Sequence, residues 1–399
     1  MTSFCRGFRK NFVLKKVPTA FQSFYLLLGV FLSWEIFFVS GVEARTKENI
    51  RVLVLQEVNQ LKVTGQEIAL KDLQTGRTFF KNIKVSSVII EREIGSGLRI
   101  HGHSISAQTF LLTSARGPLT INGRRYRGKL KVFPGPNKDL WAINELPLED
   151  YLAGLINCEI SSQWPIEAVK AQAVAARTYA VFQKRNRQDK QYDVESSVAD
   201  QVYAGIGPED DRSRKAVKET EGELLLYQGH PIFSVYHACC GGKTELPEYL
   251  WAGFFPYLKS VDCAYCLDSP YFLWNYQAHP ETLGKTLLSL GFTGSRVLEI
   301  QVAERSDSRR VLRLFIKDDK HRLDVPGKEF RRLLGYDLLR STNFWVKEDD
   351  RGFFFSGLGW GHGVGLCQWG AKGMAEAGAD YRSILKHFYQ NIEIGKFPR

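Results

Sequence analysis

The segment from Tyr151 to Ala180, YLAGLINCEISSQWPIEAVKAQAVAARTYA, constrains the fold more than any other part of the chain. Leu148, Leu152, Leu155 and Ile156 recur at helical spacing, which predicts a first helix reaching about Asn157. Pro165 then precedes a long alanine-rich run. Proline is pre-organised for the first turn of a helix, so a second helix is expected to begin there. Along it Ala168, Ala171, Ala173, Ala175, Ala176 and Ala180 are interleaved with Val169, Val174 and Val181, and small apolar side chains cover most of its circumference. Such a helix is buried on most sides. Glu159, the one carboxylate between Tyr151 and Trp164, falls in the joint between the two helices, where a side chain can be presented to a ligand. Arg177 lies deep in the buried helix and needs an anionic partner, because an unpaired buried charge is strongly unfavourable.

Tyrosine, leucine, a glycine-containing run, Glu159, then Trp164-Pro165 and E-A-x-K-A-Q-A-V-A-A-R-T-Y-A together resemble the SpoIID family. That family is named after a sporulation protein that degrades bacterial cell-wall glycan. Two further blocks agree in order: HACCGGKTELPEYLWAGFFPYLKSV from His237 to Val261, and GLGWGHGVGLCQWGAKGMAEAG from Gly357 to Gly378. The resemblance implies an α+β catalytic core and a peptidoglycan lytic transglycosylase, a glycan strand lyase acting on strands stripped of stem peptides in septal or engulfment wall remodelling. It also implies cooperation with an N-acetylmuramyl-L-alanine amidase. A reading from a different class stays open: a non-catalytic wall-binding protein or amidase enhancer.

Glycoside hydrolases commonly use two carboxylates, one as acid and one as nucleophile or base. This chain offers one prominent carboxylate in its motifs, and a lytic transglycosylase can work with a single glutamate. The resemblance puts Glu159 in that role, as acid and then base, with burial expected to raise its pKa. It also carries over Arg177, Tyr257 and Lys259 as substrate-binding positions; an arginine and a lysine suit a lactyl carboxylate, and a tyrosine can stack on a sugar. In WGHGVGLCQWG the glycines allow close backbone approach, so His362, Gln368 and Trp369 are candidates to line a glycan groove. A hydrogen-bonded loop beneath the site would use the same residues. The chain departs from many relatives in carrying Ile160-Ser161 after the glutamate, where they have Met-Pro, and Cys367 where they have serine.

Basic residues Arg6, Arg9, Lys10, Lys15 and Lys16 precede an apolar run from Phe24 to Val42, the build of an export signal. Val42-Glu43-Ala44 offers a cleavage site after Ala44, and an uncleaved membrane anchor is the alternative. Either way the remainder is expected outside the cytoplasm, in the periplasm or cell envelope. Residues 1–44 carry +3, so the rest keeps +8 of the formal +11. For an exported protein that excess points to anionic envelope polymers rather than nucleic acid. Short runs rich in Val, Ile, Phe and Thr with glycine turns fill residues 51 to 140 and predict strands. The expected organisation is a β-rich accessory region over 45–120 and a SpoIID-like core over 121–399. His101 and His103 alternate on one strand face without a third ligand nearby and are not taken as a site.

Six of the seven cysteines lie beyond the export segment, four of them between Cys239 and Cys266. His237-x-Cys-Cys240 and Cys263-x-x-Cys266 are two short-spaced ligand pairs, and such pairs suit the edges of a tetrahedral zinc site. Some SpoIID-like proteins hold zinc through an H-x-x-C pair, which His237-x-x-Cys240 matches. The expected ligands are therefore His237, Cys240, Cys263 and Cys266 around a structural zinc, with disulfides as the competing reading in an oxidising compartment.

Overall fold

In the N-terminal third, apolar side chains alternate with polar ones. Leu61, Val63, Ile68 and Leu70 are all buried while Lys62, Gln66 and Lys71 are exposed, the period of a strand with one covered face. The computed structural model describes residues 48–79, 85–93, 98–105, 109–137, 139–294 and 296–396, and the expected export segment at 1–44 lies outside them. Among the described residues ten strands precede the first helix: β1 (Asn49–Val58), β2 (Gln60–Asp72), β3 (Thr78–Phe79), β4 (Ser87–Arg92), β5 (Leu98–Ile100), β6 (His103–Ile105), β7 (Phe110–Ile121), β8 (Arg124–Tyr126), β9 (Lys129–Pro134) and β10 (Leu140–Pro147). With β11 (Val194–Glu195) they form one sheet in the order β11-β1-β10-β9-β7-β2-β4-β5-β6, β3 adding to β2 and β8 to β7. Residue 120 lies inside β7, so the strands before and after the expected domain boundary belong to the same sheet.

Two helices follow, α1 (Leu148–Glu159) and α2 (Ile166–Asn186). Tyr151, Leu152, Leu155 and Ile156 are buried along α1, and the alanines and valines of α2 from Ala168 to Val181 are buried almost throughout. Glu159 is the last residue of α1 and Pro165 caps α2, so the joint between the helices is residues 160–165. Next come α3 (Asp211–Glu219), β12 (Glu223–Tyr227), β13 (His230–Pro231) and β14 (Tyr236–His237).

A second apolar core belongs to a segment with its own strands and helices: β15 (Leu273–Ala278), α4 (Pro280–Leu287), β16 (Glu299–Arg305), β17 (Val311–Lys317), β18 (Arg322–Pro326), α5 (Gly327–Leu334), β19 (Phe344–Asp349) and β20 (Gly352–Leu358). Trp274, Leu283, Phe330, Phe344 and Phe355 fill it. After this segment the chain returns to the main core through β21 (Leu366–Cys367), α6 (Gln368–Glu376), α7 (Tyr381–Phe388) and β22 (Glu393–Lys396). Strand β21 pairs in parallel with β14, Tyr236 beside Leu366 and His237 beside Cys367. That pairing brings the two later sequence blocks together at the end of α1. The fold is α+β, and no helix among the described residues is long and apolar enough to cross a membrane.

Candidate active site

Glu159 leaves the C-terminus of α1 as the backbone turns extended at Ile160. The loop after α2 passes close along α1: a Cβ on Gly154 would lie 2.3 Å from the carbonyl oxygen of Gly205. Glycine at 154 therefore permits an approach that carries the Val202 N–H to within 2.9 Å of Glu159 Oε1. Tyr236, from β14, and Gln368, at the start of α6, also lie close enough to this carboxylate to favour its ionised form. Burial is the largest influence on its pKa and outweighs the three donors, which favour the ionised form, so the pKa rises to about 7.

The donors are themselves held. Tyr151 donates its hydroxyl to Gln201 Oε1 at 3.0 Å, and Gln201 Nε2 donates to the Tyr236 hydroxyl oxygen at 3.0 Å. With its lone pair occupied, Tyr236 has its own O–H free for Glu159. Gln368 Nε2 lies 3.4 Å from Gln172 Oε1, and Gln172 Nε2 is buried without a partner among the described residues. Beside this cluster the rings of Trp164 and Trp369 meet edge to face, 5.1 Å between centroids.

Of the residues singled out from the sequence, Gln368 lies at Glu159 with Trp369 next to it in the chain, while Arg177, Tyr257 and His362 make their hydrogen bonds with other groups. Arg177 is 1% exposed and forms its ion pair with Glu149, not at the Glu159 site. Its remaining N–H groups meet Thr220 Oγ1 and the carbonyls of Val217 and Glu223, so the guanidinium is used up inside the fold. Tyr257 is 7% exposed and its hydroxyl accepts from Phe233 N at 3.0 Å. Lys259 is exposed. His362 accepts the Val364 N–H on Nδ1 and donates from Nε2 to the Tyr236 carbonyl, which fixes the neutral tautomer; burial holds its pKa down at about 3. His362 thus supports the backbone of Tyr236. Tyr236 and Gln201 are the residues that sequence reasoning passed over. Tyr236 stands directly before His237, and Gln201 opens the loop that delivers Val202.

A second constellation includes Cys367 of β21. The thiols of Cys240, Cys263, Cys266 and Cys367 are fully buried, with sulfurs within 4.8 Å of one another, close enough to hold a metal ion. The six described cysteines are free of disulfides. His237 is not one of the four: its Nδ1 is 3.1 Å from the Val364 carbonyl, and Cys367 fills the place expected for it. The cause is the parallel β14–β21 register, which sets Cys367 next to His237 across the strands. Backbone N–H groups of Cys240 and Gly370 point at Cys367 Sγ from 3.2 and 3.3 Å, as suits a thiolate. Neighbouring thiols donate toward Cys266 and hold its pKa well below the ordinary range. Arg310, 1% exposed, donates to the Cys240 carbonyl at 2.7 Å while Nε and Nη1 have no partner among the described residues, a positive charge next to the sulfurs.

A family model described as Stage II sporulation protein matches residues 136–227, which contain Glu159, α1 and α2. A second, described as a domain of unknown function, matches 265–365, the segment with the separate core. An uncharacterized protein of Brachyspira hyodysenteriae is 33% identical over 313 residues, 78% of this chain and 83% of that protein. Stage II sporulation protein D of Bacillus amyloliquefaciens is 31% identical over 274 residues, 64% of this chain and 76% of its own. The amidase enhancer of Bacillus subtilis is 29% identical over 383 residues; the match covers 82% of this chain and spans 51% of that longer protein. With Glu159, the alanine-rich α2 and the Gly357–Gly378 block in the arrangement described, the chain belongs to the SpoIID family.

Proposed function

We propose that this protein cleaves the glycan strands of peptidoglycan as a lytic transglycosylase, with Glu159 as the single general acid and base. The observation that carries the reading is a carboxyl at the end of α1 whose burial pushes its pKa up to about 7, with no cationic neighbour among the described residues and with Val202 N–H, Tyr236 and Gln368 placed to receive its charge. Protonated Glu159 gives its proton to the glycosidic oxygen as the bond to the anomeric carbon breaks. The resulting carboxylate, steadied by Val202 N–H, Tyr236 and Gln368, then takes the proton of the primary hydroxyl on the same N-acetylmuramic residue. That oxygen closes on the anomeric carbon, an anhydro ring forms, no water is consumed, and Glu159 ends protonated. A pKa near the operating pH serves both transfers equally.

The four cysteines fit zinc. Zn–S bonds of about 2.3 Å place tetrahedral sulfurs about 3.8 Å apart, and four buried thiolates are a soft donor set that zinc accepts. Cys240, Cys263, Cys266 and Cys367 would hold it, and Arg310 would offset the surplus negative charge. Such a closed site is structural, tying the Cys240–Cys266 loop to the start of α6. An exported location, in the periplasm or envelope, accords with the basic and apolar N-terminus and with the substrate. Digestion of purified, stem-peptide-free glycan strands tests the activity. The wild type should release anhydro-ended products, and undiminished release by Glu159→Gln would end the proposal.

A second reading has its own support: the relative named amidase enhancer matches 82% of this chain, and Arg177 and Tyr257 are engaged inside the fold. On that reading the protein binds wall and stimulates an amidase. It predicts that Glu159→Gln leaves both amidase stimulation and sacculus binding intact.

A further inference from the structure

Four aromatic side chains, all partly exposed, lead away from Glu159 in an unbroken row. Trp164 meets Trp369 at 5.1 Å, Trp369 meets Tyr271 at 6.3 Å, and Tyr271 meets Trp360 at 4.7 Å, each pair at a steep angle. The row starts at the active site, because Trp369 follows Gln368, which donates to Glu159. Trp164, Trp369 and Tyr271 lean on the main core, whereas Trp360 packs into none of the apolar cores. Partly exposed aromatic rings in contiguous order mark a surface that another molecule covers. Sugar rings carry axial C–H groups on their flat faces, and those groups settle on indole and phenol rings.

Cations flank the row at two points, and they differ. Lys372 stands 5.1 Å from the Trp369 ring centroid but is tied to Glu376 at 2.6 Å. Arg340 lies 4.8 Å over Trp360, and its guanidinium makes no ion pair among the described residues. A guanidinium resting its face on an indole keeps its edge N–H groups free for a carboxylate, which it can bind through two parallel hydrogen bonds. We infer that this row is the strand-holding surface and that Arg340 selects amino-sugar strands bearing a free carboxylate on the residue bound at Trp360. The inference rests on the glycan reading of the site and adds its specificity. Tyr271, Arg340 and Trp360 all lie within 265–365, so the segment matching a domain of unknown function supplies the far half of the surface.

The test is binding without turnover, by calorimetry on the Glu159→Gln protein. Three probes are used: stem-peptide-free glycan strands, the same strands with lactyl carboxylates converted to amides, and neutral chitohexaose. Trp360→Ala should weaken all three. Arg340→Gln should weaken the carboxylate-bearing strands about tenfold, the size of one charge-assisted contact, and leave the amidated strands and chitohexaose unchanged. Melting temperature checks that each variant is folded. Equal loss on all three probes for Arg340→Gln, or no loss on any, overturns the carboxylate assignment. Intact binding in folded Trp360→Ala, or displacement of glycan by a phosphate-bearing wall polymer at lower concentration, overturns the surface. Because no bond is cleaved in these measurements, failure of Glu159 as the acid would leave them standing, and the strand-digestion assay would reveal it separately.

Discussion

Arg177 closes a two-pronged ion pair on Glu149, Nε to Oε1 at 2.9 Å and Nη2 to Oε2 at 2.7 Å, and so joins α2 to the first turn of α1. The consequence reaches Glu159, at the opposite end of α1. A guanidinium beside Glu159 would have kept that carboxyl ionised and useless as an acid. Spending the buried arginine on Glu149 leaves Glu159 to be governed by burial.

Removing one member of the pair should therefore damage the fold rather than the chemistry. Arg177→Met is expected to lower stability by about 3 kcal/mol, since Glu149 loses a bidentate partner and the carbonyls of Val217 and Glu223 lose donors. The double variant Arg177→Met with Glu149→Leu should recover part of that loss. Denaturant midpoints measure both. A single variant that melts like the wild type but no longer binds glycan would return Arg177 to the substrate site.

The raised pKa of Glu159 makes stability depend on pH in a definite direction. Its folded value of about 7 lies above the ordinary 4.5, so the folded state holds more protons between those limits. Stability must then fall as pH rises through that window, and the full cost of keeping the ionised group half-buried is reached above it. Glu159→Gln should match the wild type near pH 4 and be more stable by about 3 kcal/mol near pH 8. Equal melting curves for the two proteins at pH 8 would contradict the burial argument.

Part of this arrangement is legible in the sequence because it is local. Glu159, Gln368 and the small-residue face of α2 lie in continuous motifs, and helical spacing alone places α1, α2 and the joint near Glu159. The mate of Arg177 is not local. Glu149 precedes the motif block, and only the packing of α1 on α2 brings the two together. Tyr236 and Gln201 carry no spacing signal, because a hydroxyl or an amide in a short strand or loop resembles any surface residue until the hydrogen bonds are seen. Cys367 follows a whole inserted core, and the β14–β21 register, invisible in spacing, carries it to the other three thiols.

Tyr236 should act on the titration of Glu159 more than on binding. Its hydroxyl donates to the carboxylate and so lowers a pKa that burial raises. Tyr236→Phe removes that donor, and the pKa of Glu159 should climb. The basic limb of the rate profile, where the acid is lost, would move up by the same amount, while kcat at neutral pH falls and KM changes little. A profile that keeps its shape and a KM that rises instead would make Tyr236 a substrate contact.

The proposed zinc site is tested by exchanging Cys367, the thiol that stands where His237 was expected. Protein purified without added zinc should contain close to one equivalent, and Cys367→Ser should lose most of it, since a hydroxyl is a far poorer zinc ligand than a thiolate. His237→Asn should keep its zinc, because the histidine ring is engaged with the Val364 carbonyl and an asparagine amide can make the same bond. Gly370→Ala supplies a steric probe that leaves all four cysteines in the sequence: its new Cβ would lie 2.5 Å from Cys263 Sγ and must displace that sulfur, so zinc content should drop with all four thiols still present. Chelation should lower the melting temperature of the wild type and leave Cys367→Ser unaffected, because only the former has binding energy to lose. Zinc that survives Cys367→Ser but vanishes with His237→Asn would restore the histidine as the ligand.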